Sequence, residues 1–251
     1  MAHIITIGNQ KGGCGKTTTA VNLSAGLAVL GKRVLLIDMD PQGNSSLTFG
    51  INIEDLHISM SDILLDDNVH FKYNIFSKGN IHIAPSNPTL NYAEERLHTM
   101  EGKATRLKEK IGEVESNYDF ILIDCPPSIG ILTTNALMAS HWTILPVDVG
   151  FYSLVGIKQY LARIEDVMEQ NKNLKILGIL VTMYNERNNI SREVMAKLKG
   201  SFKDKVFNTA IRRDIKLTEA PGHLQTAIEY MWRGRGSSDY LALSNEVLKR
   251  V

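Results

Sequence analysis

The sequence contains little cysteine, no long apolar run and no repeated or low-complexity segment. Its two cysteines, Cys14 and Cys125, lie far apart and provide neither a disulfide framework nor a zinc cluster, which favours a reducing cytoplasm. No stretch approaches the ~20 apolar residues that a membrane-spanning helix needs. The first apolar run begins at Ile4 without a charged and then hydrophobic leader, so we expect a soluble chain without a signal peptide.

The chain also lacks an excess of charge of one sign, because its formal net charge is only +1. The charge is unevenly distributed, however. Lys and Arg outnumber Asp and Glu in residues 185–251, whereas acidic residues are in excess in residues 1–184. A basic last quarter on an acidic body predicts a face that attracts polyanions. The alternative, that these cations only solvate the outer faces of the last helices, is equally consistent with the composition.

Short apolar runs alternate with segments of helical periodicity along the 251 residues. Runs that are apolar almost throughout are typical of strands buried on both faces, and they occupy residues 4–7, 33–37, 81–84, 119–123, 143–147, 176–183 and 206–211. Helices are predicted at residues 16–30, 104–114, 132–139, 155–168, 191–202 and 238–250. The alternation predicts an α/β fold with a mostly parallel twisted sheet flanked by helices on both faces. Nothing resembles an interdomain linker, so residues 1–251 are expected to form a single domain.

A glycine-rich loop follows the first predicted strand and opens the first predicted helix. Its candidate nucleotide contacts are Lys11, Gly12, Gly13, Cys14, Gly15, Lys16, Thr17 and Thr18. The glycines allow backbone amides to surround an anion, and the start of the helix adds its positive end. Lys16 places a cation on the β- and γ-phosphates, and Thr17 offers a hydroxyl to Mg²⁺. The loop therefore predicts a phosphate site, although Gln10 stands where the G-x-x-x-x-G-K-[ST] pattern has its first glycine. Cys14 is interpreted as a small filler between glycines.

The loop Lys11-Gly-Gly-Cys-Gly-Lys16-Thr-Thr resembles the deviant Walker A motif of the ParA/MinD family of ATPases. The ParA/Soj branch in particular is resembled by Asn9-Gln10 before the loop and by Asp38-Met-Asp40-Pro41-Gln42-Gly43-Asn44 after the next strand. The similarity continues in the family's order through Asp124-Cys-Pro-Pro-Ser128, Val181-Thr-Met-Tyr184 and Glu219-Ala-Pro221. It covers nearly the whole chain and implies a P-loop NTPase-like fold, ATP and ADP as ligands, Mg²⁺, and ATP hydrolysis.

Acidic residues follow two of the predicted strands near the loop. Asp124 ends an apolar strand, as a Walker B carboxylate does when it holds Mg²⁺. The resemblance implies that Asp40 orients the attacking water near the metal. It also implies that Lys11, the signature lysine, reaches across an ATP-dependent homodimer to the partner's phosphates. The candidate catalytic residues are therefore Lys11, Lys16 and Asp40. The candidate metal residues are Thr17, Asp124 and Asp40.

Two further acidic residues at strand ends have less definite roles. Asp38 either contacts the waters around Mg²⁺ or only caps its strand, and the sequence leaves both open. Asp148 is expected to make a structural hydrogen bond. The resemblance places adenine against residues that follow the late strands, here Met183, Arg212 and Arg213. Relatives usually have proline where this sequence has Arg212, so the local loop geometry is open.

Basic residues crowd the last quarter of the chain. They are Arg187, Arg192, Lys197, Lys199, Lys203, Lys205, Arg212, Arg213, Lys216, Arg233 and Arg235. The resemblance implies that a dimer binds DNA here without sequence preference, with Arg187, Arg213 and Lys216 nearest to the family's contact positions, and that the protein associates with the nucleoid. Binding of this kind neutralises phosphates and should weaken steeply with salt. It also implies a ParB-like or other adaptor that stimulates slow hydrolysis. The first strand begins too early for a preceding helix-turn-helix, so operator binding is not expected.

Three alternatives share the loop. A MinD-like membrane ATPase would need an amphipathic tail beyond the last helix, which ends at Val251 without one, so no stable membrane binding is expected. An iron–sulfur reductase would need two well-placed cluster cysteines, and Cys14 and Cys125 both lie inside nucleotide motifs. A relative that positions another cytoplasmic cargo through a different adaptor would have the same ATPase residues, and the sequence does not separate it from a DNA-partition protein.

Overall fold

The computed structural model describes residues 1–150 and 153–251, and for residues 153–156 it describes the backbone alone. The strands are β1 His3–Ile7, β2 Val34–Asp38, β3 Phe76–Lys78, β4 Ile81–Ala84, β5 Phe120–Asp124, β6 Trp142–Asp148 and β7 Lys175–Thr182. The helices are α1 Lys16–Val29, α2 Asn44–Thr48, α3 Met60–Leu65, α4 Leu90–Leu97, α5 Arg106–Gly112, α6 Ile131–Ala139, α7 Ser153–Gln170, α8 Asn189–Phe202, α9 Lys216–Glu219, α10 Ala227–Tyr230 and α11 Arg235–Arg250. The helix predicted from residue 155 corresponds to α7, although the side chain of Val155 lies outside the described residues.

The strands form one seven-stranded sheet in the order β3-β4-β2-β5-β1-β6-β7. Every neighbouring pair is parallel except β3 with β4, so the predicted mostly parallel sheet is confirmed. Asp124 at the end of β5 pairs with Ile7 of β1 on one side and with Asp38 of β2 on the other. The carboxyl ends of the three central strands therefore coincide, at the edge where such sheets bind ligands.

Alternate residues of the strands pack against helices on opposite faces of the sheet. On one face, Leu35, Ile121 and Ile123 join a core with α3, α4, α5 and α6, and the cores of α7 and α8 continue it towards β7. On the other face, Ile5, Leu36 and Leu122 join a core with α1 and α11. Helices thus cover both faces, because each strand buries side chains in both directions.

Helices α1 and α11 cross closely at Gly26. A side chain there would begin 2.1 Å from the Ser244 hydroxyl oxygen and 3.3 Å from the Tyr240 carbonyl oxygen. The contact lets α11 bury Tyr240, Leu243 and Val247 against α1 and the sheet. The last helix is therefore part of the core.

The predicted strand at residues 206–211 was wrong. Within this segment Val206 makes one isolated bridge, with Ile179, and Arg212 just after it makes another, with Tyr184. The physical reason is a side chain: Glu246 of α11 accepts the amides of Asn208 and Thr209, so the middle of the segment does not pair with β7. The apolar ends are buried as expected, but the ladder is interrupted.

Short elements escaped prediction. β3 has three residues and helices α2, α3, α4, α9 and α10 have between four and eight, which is too short for a periodic pattern to be evident. Within the described residues, no helix combines the length and the apolar character that crossing a membrane requires.

Candidate functional site

The glycine-rich loop connects β1 to α1 at the carboxyl edge of the sheet. Gly13 and Gly15 have φ values of +70° and +87°, a left-handed conformation that side chains disfavour. At Gly12 and Gly13, no described residue other than the adjoining ones has an atom within 4 Å of the position where a side chain would begin. The loop therefore leaves open space in front of its backbone and ends directly at the positive end of α1.

Hydrogen bonds to strands β6 and β7 hold the glycine-rich loop in place. The Asn9 amide donates to the Pro146 carbonyl oxygen at 2.7 Å, and the Thr182 hydroxyl donates to the Cys14 carbonyl oxygen at 2.8 Å. The Cys14 thiol donates to the Lys11 carbonyl oxygen at 3.2 Å. Burial raises the pKa of Cys14, so its thiol is a poor nucleophile here, in agreement with the expected filler role.

The two lysines of the loop have different surroundings. Lys16, at the first position of α1, is only 6% exposed, and its ammonium donates to the Lys11 carbonyl oxygen at 3.1 Å. The Lys11 ammonium donates to both carboxylate oxygens of Asp148 at 2.7 Å. Lys16 thus lies against the loop that it would serve. The hydrogen bond expected of Asp148 is to Lys11.

Three carboxylates lie where β2 and β5 end. Asp124 and Asp38 are fully buried, and Asp40 is 7% exposed. Burial, together with the neighbouring Asp38 carboxylate, raises the pKa of Asp124 to about 8, although Ser45 and Thr17 oppose the shift. Burial also raises the pKa of Asp38 to about 6, against hydrogen bonds from Ser46 and the Asp40 amide. Two acidic groups in a dry site make the edge of the sheet favourable for a cation.

The donor set around Asp124 fits Mg²⁺. Its Oδ2 accepts a hydrogen bond from Ser45 at 2.8 Å, whereas its buried Oδ1 has no hydrogen-bond partner among the described residues. A buried carboxylate oxygen without a partner is costly unless a ligand binds it. The described residues contain no group of three His, Cys, Asp or Glu side chains arranged for a metal. Mg²⁺ bound beside a nucleotide needs only one or two protein ligands, since phosphates and waters supply the others.

Asp40 lies in a small cradle of hydrogen bonds. Its Oδ1 accepts the Gln42 amide at 3.0 Å, and its carbonyl oxygen accepts from the Ser86 hydroxyl and the Gly43 amide. The Ser46 hydroxyl in turn donates to Asp38 at 2.7 Å and accepts the Ser86 amide. Asp38 therefore anchors the segment that carries Asp40, since it also accepts the Asp40 amide.

A cavity of about 480 Å³ opens beside the loop. Its wall includes Gly15 and Thr18 from the loop side, and Met183, Arg212 and Arg213 from the late segments. The structure thus brings the three predicted adenine-pocket residues together with the phosphate loop.

The loop at Arg212, where relatives usually have proline, is held by contacts of Arg212 itself. Its amide donates to Asp239 at 2.9 Å, a bond that proline cannot make, and its guanidinium pairs with the same carboxylate. On either side, Tyr184 donates its amide to the Ile211 carbonyl oxygen at 2.9 Å and accepts the Arg213 amide at 3.0 Å. The loop geometry is therefore fixed by α11 and by the segment after β7.

Comparison with known proteins gives matches over most or all of the chain. The family AAA_31, described as an AAA domain, matches residues 2–176. The sporulation initiation inhibitor protein Soj of Bacillus subtilis is 44% identical over 249 residues, which cover 98% of both chains. The chromosome-partitioning ATPase Soj of Thermus thermophilus is 40% identical, covering 98% of this chain and 96% of its own. The chain belongs to the ParA/Soj family.

A solved structure supports the fold of this ParA/Soj-family protein. Cobyrinic acid a,c-diamide synthase from Mycobacterium smegmatis, determined with ADP and magnesium, superposes with a TM-score of 0.88 at 31% identity. The match covers 99% of this chain and 95% of the other. The P-loop NTPase-like fold inferred from the motifs is confirmed.

The predicted DNA contacts of the ParA/Soj-family protein lie on connected segments. Arg187 and Arg213 are exposed, and their segments are joined by the bond between the Arg213 amide and Tyr184. Lys216 is partly engaged, because its ammonium lies 2.7 Å from Glu219. Lys197 and Lys199 are both exposed on α8, two residues apart, and so point in different directions. The basic residues therefore do not form one continuous helix face.

Sequence reasoning missed the residues that support the site of this ParA/Soj-family chain. Ser45, Ser46, Ser86 and Thr182 hold Asp124, Asp38, the Asp40 segment and the loop, respectively. Two of them stand directly after Asn44, which the resemblance already covered. Ser86 follows β4 at the same edge of the sheet, so its position just after a predicted strand could have indicated that it supports the site.

Proposed function

We propose that this protein is a partition ATPase that binds ATP or ADP with Mg²⁺, forms an ATP-dependent homodimer and binds DNA without sequence preference. The observation that carries the proposal is the meeting of the open glycine loop, the buried Lys16 and the unpartnered Asp124 oxygen at one edge of the sheet. The two Soj relatives, at 40% identity or more over nearly the full chain, support partition over the amide-forming reaction named for the structural neighbour.

The residues have separate tasks in this proposal. The loop amides and Lys16 bind the β- and γ-phosphates, and Met183 with the Arg212–Arg213 backbone bounds the adenine cavity. Thr17 and Asp124, with Asp40 nearby, hold Mg²⁺, which when bound neutralises phosphate charge. Asp40 orients the attacking water from its hydrogen-bonded cradle. Lys11 exchanges Asp148 for the phosphates of the partner's nucleotide.

The partners follow from surface charge and from the packing of the last helix. Arg187, Arg213 and Lys216 contribute to a basic surface for DNA phosphates and nucleoid association. Helix α11 packs its apolar face against α1, so that face is not available to a lipid surface. No stable membrane binding is therefore proposed. A ParB-like or other adaptor stimulates hydrolysis, and its identity determines whether the cargo is DNA or another cytoplasmic body.

The test is a salt titration of binding to a duplex DNA of mixed sequence. It is run without nucleotide, with ADP and with a non-hydrolysable ATP analogue, each with Mg²⁺. We expect tight binding only with the analogue, and log K should fall linearly with log salt at roughly 0.9 per phosphate contacted. Lys11→Ala should remove the effect of the analogue, whereas Lys172→Ala, an exposed lysine after α7, should not. Calorimetry that detects no affinity for ATP with Mg²⁺ would end the proposal.

A further inference from the structure

A tight turn between α10 and α11 is held in one shape by its own backbone. The Gly234 amide donates to the Met231 carbonyl oxygen at 2.8 Å, and the Ser237 hydroxyl donates to the same oxygen at 2.7 Å. A side chain at Gly234 would begin 2.9 Å from that oxygen, so only glycine fits there. The residues between are therefore presented in a fixed geometry. We call residues 231–235 the tryptophan turn.

The tryptophan turn exposes aromatic and apolar surface between cations. Trp232 is 53% exposed and Met231 is 42% exposed, and Arg233 and Arg235 are exposed as well. Among the described residues, no ion pair involves either arginine, and no ring or cation contact involves Trp232. An exposed indole on a constrained backbone, flanked by two guanidinium groups without an ion pair among the described residues, is suited to contact with a partner.

The charge around the turn identifies the chemistry of that partner. The Gly236 amide donates to Asp214 at 2.8 Å, which joins the end of the turn to the segment that carries Arg213. The nearby carboxylates are already engaged, since Asp214 also accepts the Lys216 amide at 3.1 Å and Glu219 pairs with Lys216. Four cations therefore stand against three carboxylates around the turn, a small excess of positive charge that is complementary to a polyanion; they are Arg213, Lys216, Arg233 and Arg235 against Asp214, Glu219 and Glu229.

We propose that the tryptophan turn binds single-stranded nucleic acid, with the Trp232 indole stacked on a base and Arg233 and Arg235 on the flanking phosphates. Phosphate neutralisation alone would need no aromatic residue, whereas stacking on bases uses one. Base faces are accessible in unpaired strands and are covered by their neighbours in a duplex. The turn thus adds a second binding mode to duplex binding, and this mode depends neither on ATP binding nor on hydrolysis.

The experiment uses the indole as its own reporter in the full-length protein. Trp142, partly buried with the Lys175 ammonium 5.7 Å from its ring centre, is replaced by Phe so that Trp232 is the one remaining tryptophan of the sequence. The probes are oligo(dT), an abasic oligonucleotide of equal length and a duplex of equal length. We expect oligo(dT) to quench the fluorescence and the abasic strand, which has the same phosphates, to leave it almost unchanged.

Affinities of variants separate stacking from charge. In the wild-type background, Trp232→Ala should weaken oligo(dT) binding roughly 5- to 150-fold and leave abasic binding unaltered. Trp232→Phe should restore most of the loss. Arg233→Gln should weaken both strands alike. Tyr92→Ala, which removes another exposed aromatic residue on α4, should change neither.

Three results would overturn the proposal: equal affinity of the wild type for oligo(dT) and the abasic strand, no effect of Trp232→Ala on oligo(dT), or a Trp232→Ala variant that loses only dimer formation. Loss of dimer formation alone would show that the tryptophan turn contacts a second subunit rather than nucleic acid. All titrations are repeated without nucleotide. A protein that fails to bind ATP but keeps the oligo(dT) preference would refute the proposed ATPase function and leave this inference standing.

Discussion

Lys11 and Asp148 form an ion pair within one chain, with the ammonium 2.7 Å from each carboxylate oxygen. The pair joins the loop after β1 to the end of β6. Both side chains are partly exposed, at 34% and 18%, so the pair is screened and worth about 0.2–1 kcal/mol. That is small beside a charge-assisted contact to a triphosphate. Asp148 therefore provides a resting position for Lys11, and under the proposed function a partner's nucleotide would displace it.

Changing either member of the pair should alter dimer formation in opposite directions. Lys11→Ala should abolish the proposed ATP-dependent dimer, because the cation proposed to cross the interface is lost. Asp148→Asn should strengthen the dimer about two- to fivefold, because Lys11 is released more easily. Sedimentation equilibrium with a non-hydrolysable ATP analogue measures both. Lys172→Ala serves as the control, and a Lys11→Ala protein that still dimerises with the analogue would refute the role of Lys11.

Asp40→Ala should separate nucleotide binding from hydrolysis. The side chain that would orient water is lost, while the loop and Lys16 are untouched, so ATP should bind and accumulate unhydrolysed. A filter assay on radiolabelled ATP should show turnover reduced by at least about 100-fold, in line with the loss of a positioned catalytic group. The DNA-bound state should persist in ATP.

The matched control is Asp62→Ala, which removes a carboxylate that caps α3 outside the site. It should hydrolyse ATP at the wild-type rate. Rapid turnover by the Asp40→Ala protein would show that water is oriented by another residue.

Asp124→Asn should weaken the binding of ATP with Mg²⁺ and stabilise the protein without ligand. Burial raises the pKa of Asp124, which means that the folded protein disfavours its anion, so a neutral amide should raise the melting temperature without ligand by about 2–4 °C, or roughly 1 kcal/mol. The further rise that ATP with Mg²⁺ gives the wild type should disappear. Differential scanning calorimetry in both conditions measures the two effects. Asp119→Asn, on an exposed partner of Arg33, should keep the ligand-induced rise, and a variant of Asp124 that also keeps it would remove this residue from the metal site.

Most of the sheet and the phosphate site were predictable, because both depend on local sequence. The central strands are continuous apolar runs such as residues 120–123, which are recognisable when both faces are buried. The glycines before Lys16 and Thr17 determine the shape of the loop, because that shape depends mainly on backbone conformations that glycine adopts easily. Because parallel strands end at one edge, the position of Asp124 relative to the loop also followed from the sequence.

What was missed depends on contacts between distant parts of the chain. Asp148 lies 2.7 Å from Lys11, and Thr182 supports the Cys14 carbonyl, but neither pairing has a local pattern. The interrupted segment at residues 206–211 has the apolar composition of a strand. Only the position of Glu246 on α11 reveals that its central amides are taken by a side chain.

Glu246→Gln tests that account through stability and pH. The carboxylate accepts the Asn208 amide at 2.8 Å and the Thr209 amide at 2.9 Å, and pairs with Arg250 at 2.7 Å. Burial raises the pKa of Glu246, but these hydrogen bonds outweigh it and leave the pKa below its usual 4.5. A lowered folded-state pKa contributes stability that is present above the unfolded pKa and is lost as pH falls through the folded one.

Urea denaturation at pH 7 should therefore show Glu246→Gln less stable by about 1–3 kcal/mol, because the glutamine amide group opposes one of the backbone donors. Below about pH 4 the wild type also loses the charge, so the difference should shrink. Glu95→Gln, an exposed residue on α4, should match the wild type at both pH values. A difference that stays constant down to pH 3 would mean that shape rather than charge holds residues 206–211. In that case the cavity wall formed by Met183 and Arg212 should be retained in the variant.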